Sequence, residues 1–424
     1  MTIENVYEIY KAHPSVQTDT RKLKQGDIYF ALKGERFNGN AFAMSALERG
    51  ASYAVVDEEI GSEDPRIIYV DDALITLQSL AAHHRNQFQI PFIAITGSNG
   101  KTTTKELVHV VLSKKFKTYT TEGNLNNHIG IPLTLLKIGM DAEMAIVEMG
   151  ANHQKEIEGY CIYTRPTHGL ITNCGKAHLE GFGGEEGVRK GKGELFDALR
   201  VFGGTVFIYK DYDYLTKMSS GISDCIEYSS AVNSPCMGIA MESGPFLTVK
   251  MEHDQSLIKT NLVGAYNLPN VLAAVCIGKN FGIDDHLIHE ALSEYQPTNS
   301  RSQWLKIGEN EVILDAYNAN PSSMKLAIEN FANLSGTRKW LVLGAMMEMG
   351  ADAEKEHETL VDLIRKHTWE QVILVGNEFQ PFAKEFQWFQ HSEDAAVWFK
   401  SANPTGIQLL LKGSRSMKME KLLD

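Results

Sequence analysis

The chain has 424 residues, a formal net charge of −12 and 43% hydrophobic residues, enough for two or three domains, each with its own core. The acidic balance excludes an extended polyanion-binding surface such as a nucleic-acid groove and leaves room only for small anions held in local pockets. Cysteines at 161, 174, 225, 236 and 276 are odd in number and lack C-x-x-C spacing, so neither a disulfide framework nor a zinc site is indicated; with no membrane-length apolar run and no apolar leader core, the expected address is the cytoplasm.

Residues 1 to 88 read as a small α/β unit with strands near 28–32, 53–57 and 67–70, closed by an Ala- and His-rich helix over 73–88. From the Gln89-Ile90-Pro91 step, strands and helices alternate as in a parallel sheet covered on both faces. Consecutive strand-like runs over 225–263 break that rhythm, and a helix over 267–279 restores it, so 89–297 forms a second domain. The polar stretch 295–303 reads as a linker, after which strands near 311–317, 339–345, 371–376 and 407–413 alternate with helices, a Rossmann-like layout for 298–424.

Residues 93 to 112, IAITGSNGKTTTKELVHVVL, are a buried strand, a glycine loop, a Lys-Thr pair and an amphipathic helix. Gly97 and Gly100 let the backbone around Ser98 and Asn99 curl so that N–H groups converge on one anion, and a helix starting near Lys101 adds its positive dipole end. Lys101 then sits against terminal phosphates, and the Thr102 hydroxyl is placed to ligate the magnesium that accompanies ATP. Ile95 stands where the general pattern G-x-x-x-x-G-K-S/T has its first glycine, so the loop is short. The expected class is α/β in three domains: a central phosphate-loop ATPase domain with a parallel sheet, a small N-terminal α/β domain and a Rossmann-like C-terminal domain.

In AIVEMGANHQ (145–154) a buried strand ends in Glu148, where nucleotide enzymes keep an acid for magnesium. The next strand, HGLITN, runs into a loop carrying His178, so one sheet edge gathers Thr102, Glu148 and His178. GVRKGKGELFDAL (187–199) begins a helix with three basic residues and by itself reads as a solvated or phosphate-facing charge cluster.

Taken in order, TGSNGKTTTKE, EGNLNNHIGIPLTLL, EMGANHQKEI, KAHLEGFGG, KGELF, DAYNANPSSM and LKGSRSMKME resemble the Mur ligases along the whole chain, and DTRKLKQGDIYFALKGERFNG is similar to that family's UDP-sugar domain. The resemblance implies a monomeric ATP-dependent, ADP-forming amide ligase that joins D-alanyl-D-alanine to a UDP-N-acetylmuramoyl-tripeptide. Sibling ligases that add one amino acid, or folylpolyglutamate-type ligases, share the loop; the GNLNN and YNANP segments speak against both. By the same resemblance Gly97, Ser98, Asn99, Gly100, Lys101, Thr102, Thr103, Asn270, Arg301, Asp315 and Asn318 serve ATP. Thr102, Glu148, His178 and Lys192 hold two magnesium ions, and Thr20, Arg21, Lys33, Asn124, Asn126, Asn127 and Asn320 serve the other substrates. Lys101, His178, Lys192 and Arg301 act in catalysis.

Lys192 occupies the position where relatives carry a carbamoylated lysine. A protonated lysine about 4 Å from one divalent ion meets roughly 8 kcal/mol of repulsion at an effective dielectric of 20, whereas a carbamate is an anionic oxygen ligand. The alternative is a protonated Lys192 held against a phosphate. Three positions depart from the family pattern: Tyr266 for a histidine, Asn38-Gly39-Asn40 for Asp-Gly-His, and Ala345 for an acid.

Overall fold

Apolar strand runs decide where the chain is buried. In a computed structural model, which describes all residues except Arg36, Glu242, Ser243, Asn299 and Asp424, they assemble into three main sheets. Arg36 of the sugar-domain segment and Asn299 of the expected linker therefore lie outside the described residues.

The first sheet is parallel and four-stranded: Val16–Gln17, Ile28–Phe30, Tyr53–Val56 and Ile67–Tyr69, in chain order. Ile28, Tyr29 and Phe30 are all buried, so both faces are covered, as a parallel sheet requires. Helix Ile3–Ala12 was not anticipated, although Val6, Tyr7 and Tyr10 recur at helical spacing and form its buried face. Helix Ala73–Arg85, capped by the Asp72 side chain on the Ile75 N–H at 2.8 Å, ends three residues before the expected 88.

That helix fastens the first unit to the second. Tyr10 donates its hydroxyl to the Leu136 carbonyl, and His84 Nε2 lies 2.8 Å from the Ile138 carbonyl. Arg85 donates to the carbonyls of Thr164 (2.8 Å), Arg165 (2.9 Å) and Phe88 (3.1 Å), with its guanidinium 3.7 Å from the Phe92 ring centre. One apolar core runs through both units.

The central sheet has nine strands. Its spatial order is Leu257–Val263, Phe246–Met251, Cys236–Met241, Cys225–Ser229, Thr205–Tyr209, His168–Ile171, Phe92–Thr96, Met144–Glu148 and Thr118–Thr120. The first three in this order pair antiparallel, the strand-rich run seen in the sequence; the remaining pairings are parallel. Phe92–Thr96 lies between Met144–Glu148 and His168–Ile171, so the loops leaving three adjacent strands open on one sheet edge.

The third sheet runs Gln303–Ile307, Asn310–Asp315, Gln408–Lys412, Lys339–Gly344, Gln371–Val375, Gln387–Phe389, parallel except for its first pair. The antiparallel edge strand Gln303–Ile307 was missed. It meets the central domain where Trp304 packs edge-on to Phe246 at 5.8 Å and Val263 enters the C-terminal core. Among the described residues no helix is long and apolar enough to cross a membrane.

Replacing Arg85 would leave three carbonyls without their donors inside this joint. Arg85→Ala is expected to cost about 2–4 kcal/mol of stability. Chemical denaturation checks it; an unchanged midpoint would show that the joint does not depend on this side chain.

Candidate functional site

The chain leaves strand Phe92–Thr96 through Gly97 (φ +143°) and Gly100 (φ +79°) and enters helix Lys101–Leu112. A Cβ on Gly97 would sit 2.0 Å from Thr172 Oγ1, and one on Gly100 2.6 Å from Asn270 Oδ1. The loop is thus pressed from both sides, a close approach that only glycine permits. The end of the neighbouring strand holds it in place. Ser98 N–H donates to the Asn173 carbonyl (2.8 Å), Ser98 Oγ to the Gly175 carbonyl (2.9 Å) and Asn99 N–H to Asn173 Oδ1 (3.1 Å). Thr172 Oγ1 and Asn173 Nδ2 both donate to the Asn99 carbonyl, at 2.6 and 3.1 Å. The N–H groups of Lys101, Thr102 and Thr103 open the helix without intrahelical acceptors, which suits them to an anion.

Asn270 braces this loop. Its Oδ1 accepts from Thr104 Oγ1 at 3.1 Å and its Nδ2 donates to Asn267 Oδ1 at 2.9 Å. Thr172, Asn173 and Asn267 were missed in the sequence, where only their place at strand and helix ends beside the loop marked them.

Lys101 folds back on the loop, its Nζ donating to the carbonyls of Gly97 (2.7 Å) and Ser98 (3.2 Å). Burial lowers its amine to about 8, against the opposing pull of Glu148 and with a further push from Arg301. Glu148 is 1% exposed; its Oε1 accepts from Asn126 Nδ2 at 2.7 Å, and its Oε2 is buried with no partner. An orphaned buried carboxylate oxygen is costly unless a cation completes it, so Glu148 fits a hard divalent ion.

The basic run at 189–192 is not the solvated cluster its composition suggests. The helix begins at Glu185, with Glu185 and Glu186 in its first turn, and its periodicity turns Arg189 and Lys190 outward. Lys192 turns inward with Val188, Leu195 and Phe196 and is 1% exposed. Its Nζ donates to the Ala151 carbonyl at 3.0 Å and lies 4.9 Å from the Phe182 ring centre. Burial first, then the nearby Lys101, brings its amine down to about 7.

His178 has a left-handed backbone (φ +52°), and its Nδ1 contacts a carboxylate of the C-terminal domain, Glu348. Among the described residues no three His, Cys, Asp or Glu side chains gather as a metal site, so the expected ligand set would depend on Thr102 and Lys192.

Arg301 stacks 3.7 Å from the Tyr317 ring centre, with its Nε buried and unpartnered. Asp315 accepts from Ser302 N–H at 3.0 Å and from the buried Lys412 Nζ at 2.5 Å, while Asn318 Oδ1 accepts from Ala319 N–H at 2.9 Å. Asn320 caps helix Pro321–Asn333 and donates from Nδ2 to Asn99 Oδ1 at 2.8 Å, so a residue expected at the other substrates instead reaches the phosphate loop.

Asn127 Oδ1 accepts from the N–H of Gly130, the first residue of helix Gly130–Leu136, at 2.9 Å, and the backbone carbonyl of exposed Asn124 accepts from Asn126 N–H at 2.8 Å. Arg21 pairs with Asp19 at 2.8 Å, Lys33 with Asp57 at 3.2 Å and Glu58 at 3.3 Å, and the Thr20 carbonyl accepts from Arg49 at 3.2 Å. These last contacts all stay within the N-terminal unit.

Comparison with known proteins agrees along the chain. Residues 14–85 match the Mur ligase family catalytic domain, 95–278 the Mur ligase middle domain, and 300–415 the Mur ligase glutamate ligase domain. The UDP-N-acetylmuramoyl-tripeptide–D-alanyl-D-alanine ligase of Bacillus subtilis strain 168 is 32% identical and covers 100% of this chain and 97% of its own. A crystal structure of MurF from Acinetobacter baumannii superposes with a TM-score of 0.87 at 28% identity, over 98% of this chain and 97% of that one. The MurF ligase of Thermotoga maritima in complex with ADP gives 0.82 at 25% identity, over 96% of each.

Gly97→Ala tests the clamped loop. With 2.0 Å between the new Cβ and Thr172 Oγ1, the loop must move, and ATP affinity should fall at least about thirtyfold while the fold persists. Calorimetric titration with ATP, paired with circular dichroism, reads both; wild-type affinity would contradict the clamp.

Proposed function

Since the chain belongs to the Mur ligase family, we propose that it is an ATP-dependent, ADP-forming amide ligase that joins D-alanyl-D-alanine to a UDP-N-acetylmuramoyl-tripeptide, a step in making the peptidoglycan precursor. The observation that carries the reading is the convergence on one sheet edge of the Gly97–Lys101 loop, the orphaned Glu148 carboxylate and the buried Lys192 amine, with Asn320 of the C-terminal domain on the loop. We take the domains as 1–88 for the UDP-substrate, 89–297 for ATP and ligation, and 298–424 as the closing unit, in a cytoplasmic monomer.

A carboxylate is a poor electrophile. Transfer of the γ-phosphoryl group of ATP to the terminal carboxylate of the tripeptide makes an acyl phosphate; the dipeptide amine then attacks its carbonyl carbon, and phosphate leaves. Lys101 exchanges its two loop carbonyls for phosphate oxygens, whose charge raises its amine and keeps it cationic. Arg301, stacked on Tyr317, presents a planar guanidinium with a free N–H from the closing domain toward the γ-phosphate. Thr102, Glu148, His178 and a carbamoylated Lys192 would hold two magnesium ions, which supply the charge that lets two anions meet.

A lysine amine near 7 is partly neutral at physiological pH, the form that can add to carbon dioxide and lose a proton to give a carbamate. Lys192→Ala is therefore expected to be nearly inactive, with part of the rate restored by short carboxylic acids that replace the missing oxygen ligand. Lys192→Arg at wild-type activity would contradict the carbamate, since arginine stays cationic there.

ADP release should require tripeptide substrate and D-alanyl-D-alanine together, with at most a slow phosphate leak when the dipeptide is absent. Mass spectrometry of the product decides the acceptor. Faster coupling of free D-alanine or L-glutamate than of the dipeptide would move the chain to a sibling activity while leaving the ligase chemistry intact.

A further inference from the structure

Beyond its ties to the phosphate loop, the loop that carries His178 is also held from the other side of a domain boundary. Lys176 N–H donates to Ser322 Oγ at 3.1 Å, and Lys176 Nζ donates to Glu356 Oε1 at 2.6 Å. Glu356 is 7% exposed on helix Ala353–Arg365, so this pair is largely removed from water on its acidic side. Two residues on, His178 Nδ1 contacts the Glu348 carboxylate. Both residues of this second pair are non-glycine residues in the left-handed region, His178 at φ +52° and Glu348 at φ +63°. Strained backbone on each side of one contact persists only where the surroundings enforce it. Gly350 completes the junction: a Cβ there would lie 3.2 Å from Glu180 Cβ, so the 348–350 turn sits directly on the start of the short helix Leu179–Phe182.

We propose that Glu348 and Glu356 are positioning residues for the ligation, reaching across from the C-terminal domain to grip His178 and Lys176, so that this loop takes its working geometry only when that domain is docked. The inference rests on the ligase reading of the site. A carboxylate in contact with Nδ1 favours the ring tautomer protonated there and leaves Nε2 as the nitrogen for a cation, the usual way a second residue tunes a histidine ligand. Lys176 gives its charge and its backbone N–H to two residues of the closing domain, Glu356 and Ser322. Docking and histidine orientation are therefore one event, which ties the complete site to the closed, water-excluding arrangement.

The test uses shape-preserving substitutions in the full chain. Lys176→Met and Glu356→Gln should each lower kcat about tenfold with an unchanged KM for the UDP-substrate, and the double variant should be no worse than either single one, because both remove the same contact. Additive losses, or wild-type rates in the single variants, would overturn the latch. Glu348→Gln is read by nitrogen NMR of the His178 ring in protein free of metal and nucleotide. The proposal expects a changed tautomer balance relative to wild type, and an identical ring spectrum would overturn it. Ligase activity of the unsubstituted chain is measured first: its absence would count against the ligase reading, whereas the ring spectrum reports the Glu348 contact whichever way that falls.

Discussion

Cations that repel one another at a single sheet edge are the constraint around which this molecule is arranged. Lys101, Lys192 and Arg301 are close enough for the Lys101 charge to depress the Lys192 amine and for Arg301 to depress that of Lys101, while Glu148 opposes the effect on Lys101 and Glu156 and Glu194 that on Lys192. A chain of net charge −12 has acids to spare, yet among the described residues no carboxylate forms an ion pair with Lys101 or Lys192. Lys101 instead turns to two loop carbonyls and Lys192 to one, weak partners that an incoming phosphate or carboxylate outcompetes. The arrangement is poor for the empty protein and good for a nucleotide meeting an acid substrate, which is the balance a ligase of two anions requires.

Holding such a centre still falls to neutral side chains. Thr172, Asn173, Asn267 and Asn270 fix the loop with hydrogen bonds that add no charge, and the tight approach at Gly97 and Gly100 leaves the loop little freedom. The three departures from the family pattern also have local explanations. Asn40 exchanges two hydrogen bonds with Asp57, at 2.7 and 3.0 Å, and Asn38 Nδ2 donates to Glu58 at 2.8 Å, so the amides settle neighbouring acids. Ala345 is fully buried, and its Cβ lies so close to Gly376 that a Cβ there would fall 2.6 Å from it, a setting in which a larger buried acid would need both room and a partner. Tyr266 uses its hydroxyl on Ser302 Oγ at 2.9 Å, a bond across the central and C-terminal domains.

What the sequence made legible was local. The loop, the strand ending in Glu148 and the alternation of the two large sheets follow from short-range patterns of glycine, apolar runs and period. Lys192 was open to the same reading, since Val188, Leu195 and Phe196 stand four before, three after and four after it, which marks a buried helical face despite the basic neighbours. Helix Ile3–Ala12 was missed for want of the same test on Val6, Tyr7 and Tyr10. Contacts such as Asn320 with Asn99, Glu356 with Lys176 and Glu348 with His178 were out of reach. Partners separated by some 170 to 220 positions leave no periodic trace in a single chain.

The two domain junctions differ in kind. The first and second units share a continuous apolar core stitched by Tyr10, His84 and Arg85, and separating them would expose that core and orphan several carbonyls. Among the described residues the C-terminal domain meets the central one through apolar packing near Phe246, Val263 and Trp304, whereas over the site the contacts are polar: Asn to Asn, Ser to a backbone N–H, Tyr to Ser, Lys to Glu and His to Glu. Polar contacts of that kind each contribute about 0.5–1.5 kcal/mol net, because water replaces them when they open. An apolar contact beside a polar, water-exchangeable seam suits a C-terminal domain that opens for ATP and products and closes over an acyl phosphate that must not meet water, against a platform made of everything before it.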